Sequence, residues 1–216
     1  MKSRVPTAAF LLALIAIPGC ESTNVTDRET YQGRPLARPD RILVHDFAAT
    51  GADLPAWSEA HDHYAAPSVP RTNAEIATGR ELGAKVAAEL VADIREMGLP
   101  AVRATGQPAA KLGDIALVGY FESIDERSVK TQVEGYRVTE SGMHRLASAK
   151  VESGPGGVLP LVITIATVNP IGSIMGGEVG AGGEPTRGTA IEDAAKQTAD
   201  AIAEELRTAF KKQGWI

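Results

Sequence analysis

The single cysteine of this 216-residue chain, Cys20, is the side chain with the most distinctive chemistry. It stands directly behind an apolar run, in the stretch Leu14-Ile-Ala-Ile-Pro-Gly-Cys20-Glu-Ser22. A thiolate is the strongest nucleophile among the side chains, and it can accept diacylglycerol as a thioether. The next cluster is His61-Asp62-His63-Tyr64. Two neutral imidazoles two residues apart can both reach a Zn²⁺ or Cu²⁺, with His45 or Asp46 as a third ligand. No ligand pair at helical spacing supports that metal, so a solvated loop is the first reading and a metal- or small-ligand-binding loop the alternative. Asp125-Glu126 could serve as an acid/base pair, but reads first as a solvated turn. Gly-x-Ser-x-Gly, His-Glu-x-x-His and Gly-x-x-x-x-Gly-Lys are all absent. With Cys20 acylated, no thiol is left for catalysis. The expectation is a non-enzyme whose one non-protein group is the lipid on Cys20.

Lys2 and Arg4 precede a run from Ala8 to Ile17 that is apolar throughout, and Pro18-Gly19 follow. A positive start, about ten apolar residues and a small-residue cut make a secretory signal. The run is about half the ~20 residues a transmembrane helix needs, and it has no polar face for a buried amphipathic helix. Ile17-Pro18-Gly19-Cys20 resembles the bacterial lipobox, in which the cysteine is acylated and becomes the first mature residue. Glu21 after it, rather than Asp, implies by that resemblance release to the outer membrane. The expected division is 1–19 signal peptide, 20–40 lipidated N-terminus and flexible tether, and 41–216 a mixed α/β periplasmic domain. The tether reading rests on residues 21–40, which are polar, hold two prolines and lack periodicity.

Acidic residues outnumber basic ones, 27 to 22, for a net charge of −5, more negative still once Lys2 and Arg4 leave with the leader. There is no basic stripe, which argues against nucleic acid as a partner. Within 41–216 the pattern alternates between strand and helix. Ile42-Leu43-Val44 is a short apolar run that fits a buried strand. Residues 49–71 form a long loop. Thr72-Asn73-Ala74-Glu75 is a capping box, followed at helical spacing by Ile76, Leu82, Val86, Leu90, Ile94 and Met97. Gly98 and Pro100 stop that helix. Short strands are expected at Ala101–Ala104 and Asp114–Glu126, the second with Ile115, Leu117, Phe121 and Ile124 facing inward. Two more fall near Val129–Val138 and Arg145–Glu152, and a β-branched one spans Val158–Val168. Thr189-Ala190-Ile191-Glu192 caps a last helix carrying Ile191, Ala195, Ile202, Leu206 and Phe210 on one face, ended by Gly214. This predicts an α/β (α+β) single mixed-sheet domain with both helices on one face.

Three segments carry a family likeness: Arg41-Ile-Leu-Val-His-Asp-Phe-Ala48, Val118-Gly-Tyr-Phe-Glu-Ser-Ile-Asp-Glu-Arg-Ser128, and the ending from Asn169 to Ile216. Together they resemble a bacterial lipoprotein family known as a domain of unknown function (DUF4410), over roughly 40–216. The resemblance implies an envelope location and brings no catalytic residues. Of a Gly-rich turn found in that family, Gly135-Tyr136 and Ser141-Gly142 remain.

Gly172, Gly176 and Gly180 repeat at every fourth position, the small-residue spacing that lets two backbones approach closely. A Gly-rich loop is the first reading of this segment, and a contact with a membrane or protein partner the second. The functional expectation is a non-catalytic, membrane-anchored envelope lipoprotein acting as an accessory or assembly module. Its partners would be the membrane through the lipid anchor and an envelope protein or further copies of itself. The alternative is the periplasmic binding protein built on His61, His63 and His45.

Overall fold

A computed structural model describes residues 23–29, 31, 33–67, 70–124, 129–153 and 187–216. Cys20, Asp125-Glu126, the strand expected at Val158–Val168 and Gly172, Gly176 and Gly180 lie outside the described residues. The elements in chain order are β1 (Thr23–Glu29), β2 (Ile42–Val44), a 3₁₀ turn (Gly51–Asp53), α1 (Ala60–His63), α2 (Asn73–Glu96), β3 (Ala101–Arg103), β4 (Ile115–Ile124), β5 (Val129–Thr139), β6 (Gly142–Ser153) and α3 (Arg187–Gln213).

One six-stranded sheet runs in the order β1-β6-β5-β4-β2-β3. The β1–β6, β6–β5 and β5–β4 pairs are antiparallel, and β2 is parallel to both β3 and β4. The single mixed sheet with two main helices is the expected α+β fold.

Helix α2 forms where its sequence dictates. Thr72 accepts from the Glu75 amide while the Glu75 carboxylate accepts from the Thr72 amide, which satisfies two amides that a helix start leaves unpaired. Leu82, Val86, Leu90 and Ile94 are all buried. Gly98, at φ 81, turns the chain out of the helix in a conformation that costs glycine nothing. α3 contributes Ala195, Ala199, Ile202, Ala203 and Phe210 to the same core, with Leu206 packed against it. The alanines between the two helices allow close approach. Both helices cover one face of the sheet, over Ile115, Leu117, Phe121, Val133 and Val151. Each large aliphatic side chain buried there contributes about 1.5–3 kcal/mol. The expected cap at Thr189 falls inside α3, which begins at Arg187.

β4 explains its own irregular pattern. Ile115, Leu117 and Phe121 keep the two-residue period, and a bulge between Phe121 and Ser123 shifts the register so that Ile124 rejoins the helix face. Its other side is buried too: Ala116, Val118 and Tyr120 form a second core with Ala48, Leu54, Ala60 and Tyr136. The cover on that side is the 48–64 segment, which starts as an extra backbone partner of β4, with the Ala48 amide donating to the Gly119 carbonyl at 2.8 Å.

The reading of 21–40 as a flexible tether needs correction. Thr23–Glu29 is an antiparallel edge strand on β6, and Leu36 packs on the helix-side core. β1 carries Thr23-Asn-Val-Thr-Asp-Arg-Glu29, polar enough to pass for linker. An edge strand needs only backbone pairing on one side, so it shows little hydrophobic pattern.

Candidate functional site

The three histidines named from the sequence are not brought together. His61 and His63 lie exposed in the single turn of α1, while His45 sits half-buried at the end of β2, edge-on to Trp57 at 5.5 Å. Burial holds its imidazole below the ordinary histidine value, outweighing the upward pull of Asp46. Asp46 itself is engaged by Arg103, whose guanidinium contacts both carboxylate oxygens at 2.6 Å. Among the described residues no group of three His, Asp or Glu is placed to hold a metal. His45, Trp57, Gln107, Val138 and Met143 border an open hollow of about 390 Å³ beside the start of β6.

The most concentrated polar chemistry lies on the sheet face under the 48–64 segment. Gln132, Glu134 and Tyr136 are alternate residues of β5, so they point to the same side. Glu134 is wholly buried, at 0% exposure. One carboxylate oxygen accepts from Gln132 Nε2 at 3.1 Å and the other from the Tyr136 hydroxyl. The Arg145 guanidinium stands 3.9 Å from the carboxylate and 3.7 Å from Glu59. Ser58 Oγ lies 3.1 Å from the Tyr136 hydroxyl and accepts from the Ala60 amide.

Tyr120 also belongs to this side, with its ring edge-on to Tyr64 at 5.5 Å and its buried hydroxyl unpartnered among the described residues. Burial, reinforced by Glu134, pushes both Tyr120 and Tyr136 well above the usual phenol range. Both therefore remain protonated at any physiological pH. A buried carboxylate with a phenol, an amide and one guanidinium fixes the cover to the sheet, since each donor removed leaves a charge unsatisfied. The set holds no activated nucleophile.

On the opposite face a groove of about 300 Å³ opens between α3 and the sheet. Leu117, Val133 and Leu146 form one wall, and Leu206 and Phe210 the other. Leu36 and Trp215 close one end: Trp215 Nε1 donates to the Leu36 carbonyl at 2.9 Å, and the Leu36 amide donates to Gln213 at 2.7 Å. Arg28, paired with Glu205 at 2.5 Å, and Lys212 also border it.

Neither the buried cluster nor the groove was singled out from the sequence. Gln132-x-Glu134-x-Tyr136 alternates polar and apolar as a solvated strand face would. The signal that it is covered is the Trp57 and Tyr64 pair in the preceding loop.

Among the described residues close backbone approach occurs at Gly79 and Gly83 of α2; Gly172, Gly176 and Gly180 lie outside them. The Phe47 amide donates to the Gly83 carbonyl at 3.3 Å, and a Cβ at Gly83 or Gly119 would overlap Phe47.

Residues 42–133, from β2 into β5, match the family model of DUF4410, a domain of unknown function. The match stops short of β6 and α3, so the likeness read over 40–216 holds across that shorter span. Among solved structures the chain is similar to a point variant of the PelC dodecamer from Paraburkholderia phytofirmans. The identity is 13%, over 82% of this chain and 98% of that one, with a TM-score of 0.38. A second PelC dodecamer structure from the same organism gives 18% identity over 62% and 82% of the two chains, with a TM-score of 0.36. No curated protein matches the chain. Likeness at this level carries nothing about how this chain assembles.

Proposed function

We infer that this chain is a lipid-anchored envelope protein without catalytic activity, held on the periplasmic face of the outer membrane through Cys20 and serving as an accessory or assembly module there. The observation that carries this reading is the position of β1. Thr23, its first residue, is three residues from Cys20, and those three span at most ~10 Å. The sheet edge is therefore tied close to the acylation atom. Thr23 also pairs with Ser153, the last residue of β6, after which the chain enters 154–186. The start of β1, on the Cys20 side, and the end of β6, after which comes the apolar stretch bearing Gly172, Gly176 and Gly180, thus lie at the same end of the sheet. That end faces the bilayer in this reading, and the second stretch contacts the membrane or a partner beside it. Two or three acyl chains hold a protein durably where one does so only marginally.

Replacement of Cys20 by serine tests the anchor. Radiolabelled palmitate should no longer enter the protein, and the chain should move to the soluble fraction with its fold intact. Retention of the variant in washed membranes would overturn the assignment.

A further inference from the structure

We propose that the groove between α3 and the sheet binds one single-chain fatty carboxylate of about ten to twelve carbons, with its tail between the walls and its carboxylate at Lys212. Protein interiors pack as densely as organic crystals, and here they do not. Gly135 leaves the β5 wall without a side chain, and the β6 register shifts between Gly135 and Tyr136. Covering these apolar walls with a hydrocarbon chain removes them from water, which favours binding. At about 300 Å³ the groove is roughly twice the ~150 Å³ apolar cavity that takes one benzene, which suits a single hydrocarbon chain of about ten to twelve carbons. It has no room for the two chains of a phospholipid.

The charges around the groove select the head group. Arg28 and Glu205 neutralise each other across the gap between β1 and α3. Lys212 is exposed and has no acidic partner among the described residues, so the edge carries one uncompensated positive charge in a chain of net charge −5. At the closed end the Trp215 indole N–H and the Gln213 carbonyl oxygen are already engaged by Leu36, so neither is free for a head group there. An anion at the open side and a hydrocarbon tail within therefore match the site, and a cationic amphiphile does not. The proposal does not depend on acylation of Cys20, and its failure would leave the anchor reading standing.

Titration calorimetry with sodium laurate below its micelle concentration tests this on the full chain carrying Cys20→Ser, so that no covalent acyl chain competes. One saturable site per chain is expected. A Cβ at Gly135 would meet Leu117 at 3.6 Å, an ordinary contact, so the first atom of the Gly135→Val side chain fits and its methyls should narrow the groove. It should cut laurate affinity by at least about tenfold while the melting temperature holds or rises. Lys212→Ala should weaken laurate about two- to fivefold and leave dodecanol unchanged, as befits an exposed charge. Absence of saturable laurate binding would overturn the proposal, as would parental affinity in Gly135→Val. Dodecanol bound as tightly as laurate would overturn the role of Lys212. If Gly135→Val does not fold, Leu206→Phe narrows the same groove from the helix side and carries the same expectation.

Discussion

The two faces of this sheet are covered by different means. On one, α2 and α3 lay long apolar stripes over Ile115, Leu117, Phe121 and Val133, and hydrophobic burial does most of the holding. On the other, a short run of irregular chain with one helical turn lies over Ala116, Val118 and Tyr120. It is pinned by Ser58 to Tyr136, by Glu59 to Arg145 and by the ring edges of Trp57 and Tyr64, around a buried carboxylate. The first face resists change in proportion to the volume removed. The second responds to which partner is left without its mate.

The largest effect is expected on the helix face. Phe210→Ala removes a ring that packs against Trp215 at 5.4 Å and is 4% exposed, and should cost about 3–5 kcal/mol in chemical denaturation. A loss under ~1 kcal/mol would mean that α3 adds little to the core.

On the face under the 48–64 strap, Glu134→Leu should cost about 3 kcal/mol, because Gln132 and Tyr136 lose their common acceptor and Arg145 loses a buried counter-charge. Tyr136→Phe should cost about 1–3 kcal/mol, because it leaves a buried charge short of a donor. The double variant should lose less than the sum of the two, with a coupling of about 0.5–3 kcal/mol. Additive losses would erase the distinction between the faces.

A smaller effect is expected from pH. His45 is held below the usual histidine value of 6.5. Above that pH, folded and unfolded chains are both neutral there. Below it the unfolded chain takes up a proton that the folded one refuses, so stability falls as the pH drops from 6.5 until the folded imidazole itself titrates. The slope from this group cannot exceed about 1.4 kcal/mol per pH unit. Melts between pH 7.5 and 5.5 should show a shallower decline in His45→Phe than in the parent. An unchanged decline would assign the effect elsewhere.

The smallest change belongs to His61→Ala with His63→Ala, both exposed on α1. Stability should stay within about 0.5 kcal/mol, and Zn²⁺ titration should show no sub-micromolar site. Tight Zn²⁺ binding lost in the double variant would restore the metal reading.

The helix face was legible in the sequence because its signals are local. The Thr72/Glu75 box, the Leu82-Val86-Leu90-Ile94 spacing and the strand core of β4 each report within a few residues of themselves. The bulge between Phe121 and Ser123 that lets Ile124 rejoin that face was not read from the sequence. The strap face was not legible, because burial of Glu134 depends on where a separate loop comes to rest, and an alternating strand reads the same whether water or Trp57 lies above it. β1 escaped notice for a related reason: its pairing partner lies more than a hundred residues away, and its own composition is that of a linker. The groove depends on an absence, the missing side chain of Gly135, which no local pattern announces.

The contacts of Arg28, Leu36 and Trp215 have a consequence for the order of folding. Arg28 meets Glu205, and Leu36 meets Gln213 and Trp215, all across nearly the whole chain. Contacts this distant in sequence repay their loop-closure entropy only late. The β4–β5–β6 meander and α2 can form early, but the first strand and the closing helix must wait for each other. Synthesis and any translocation deliver the N-terminal segment first, so β1 spends that interval unpaired, its backbone open to other strands. Gly214→Pro, which alters the turn that presents Trp215 to Leu36, should slow the final folding phase more than the initial one.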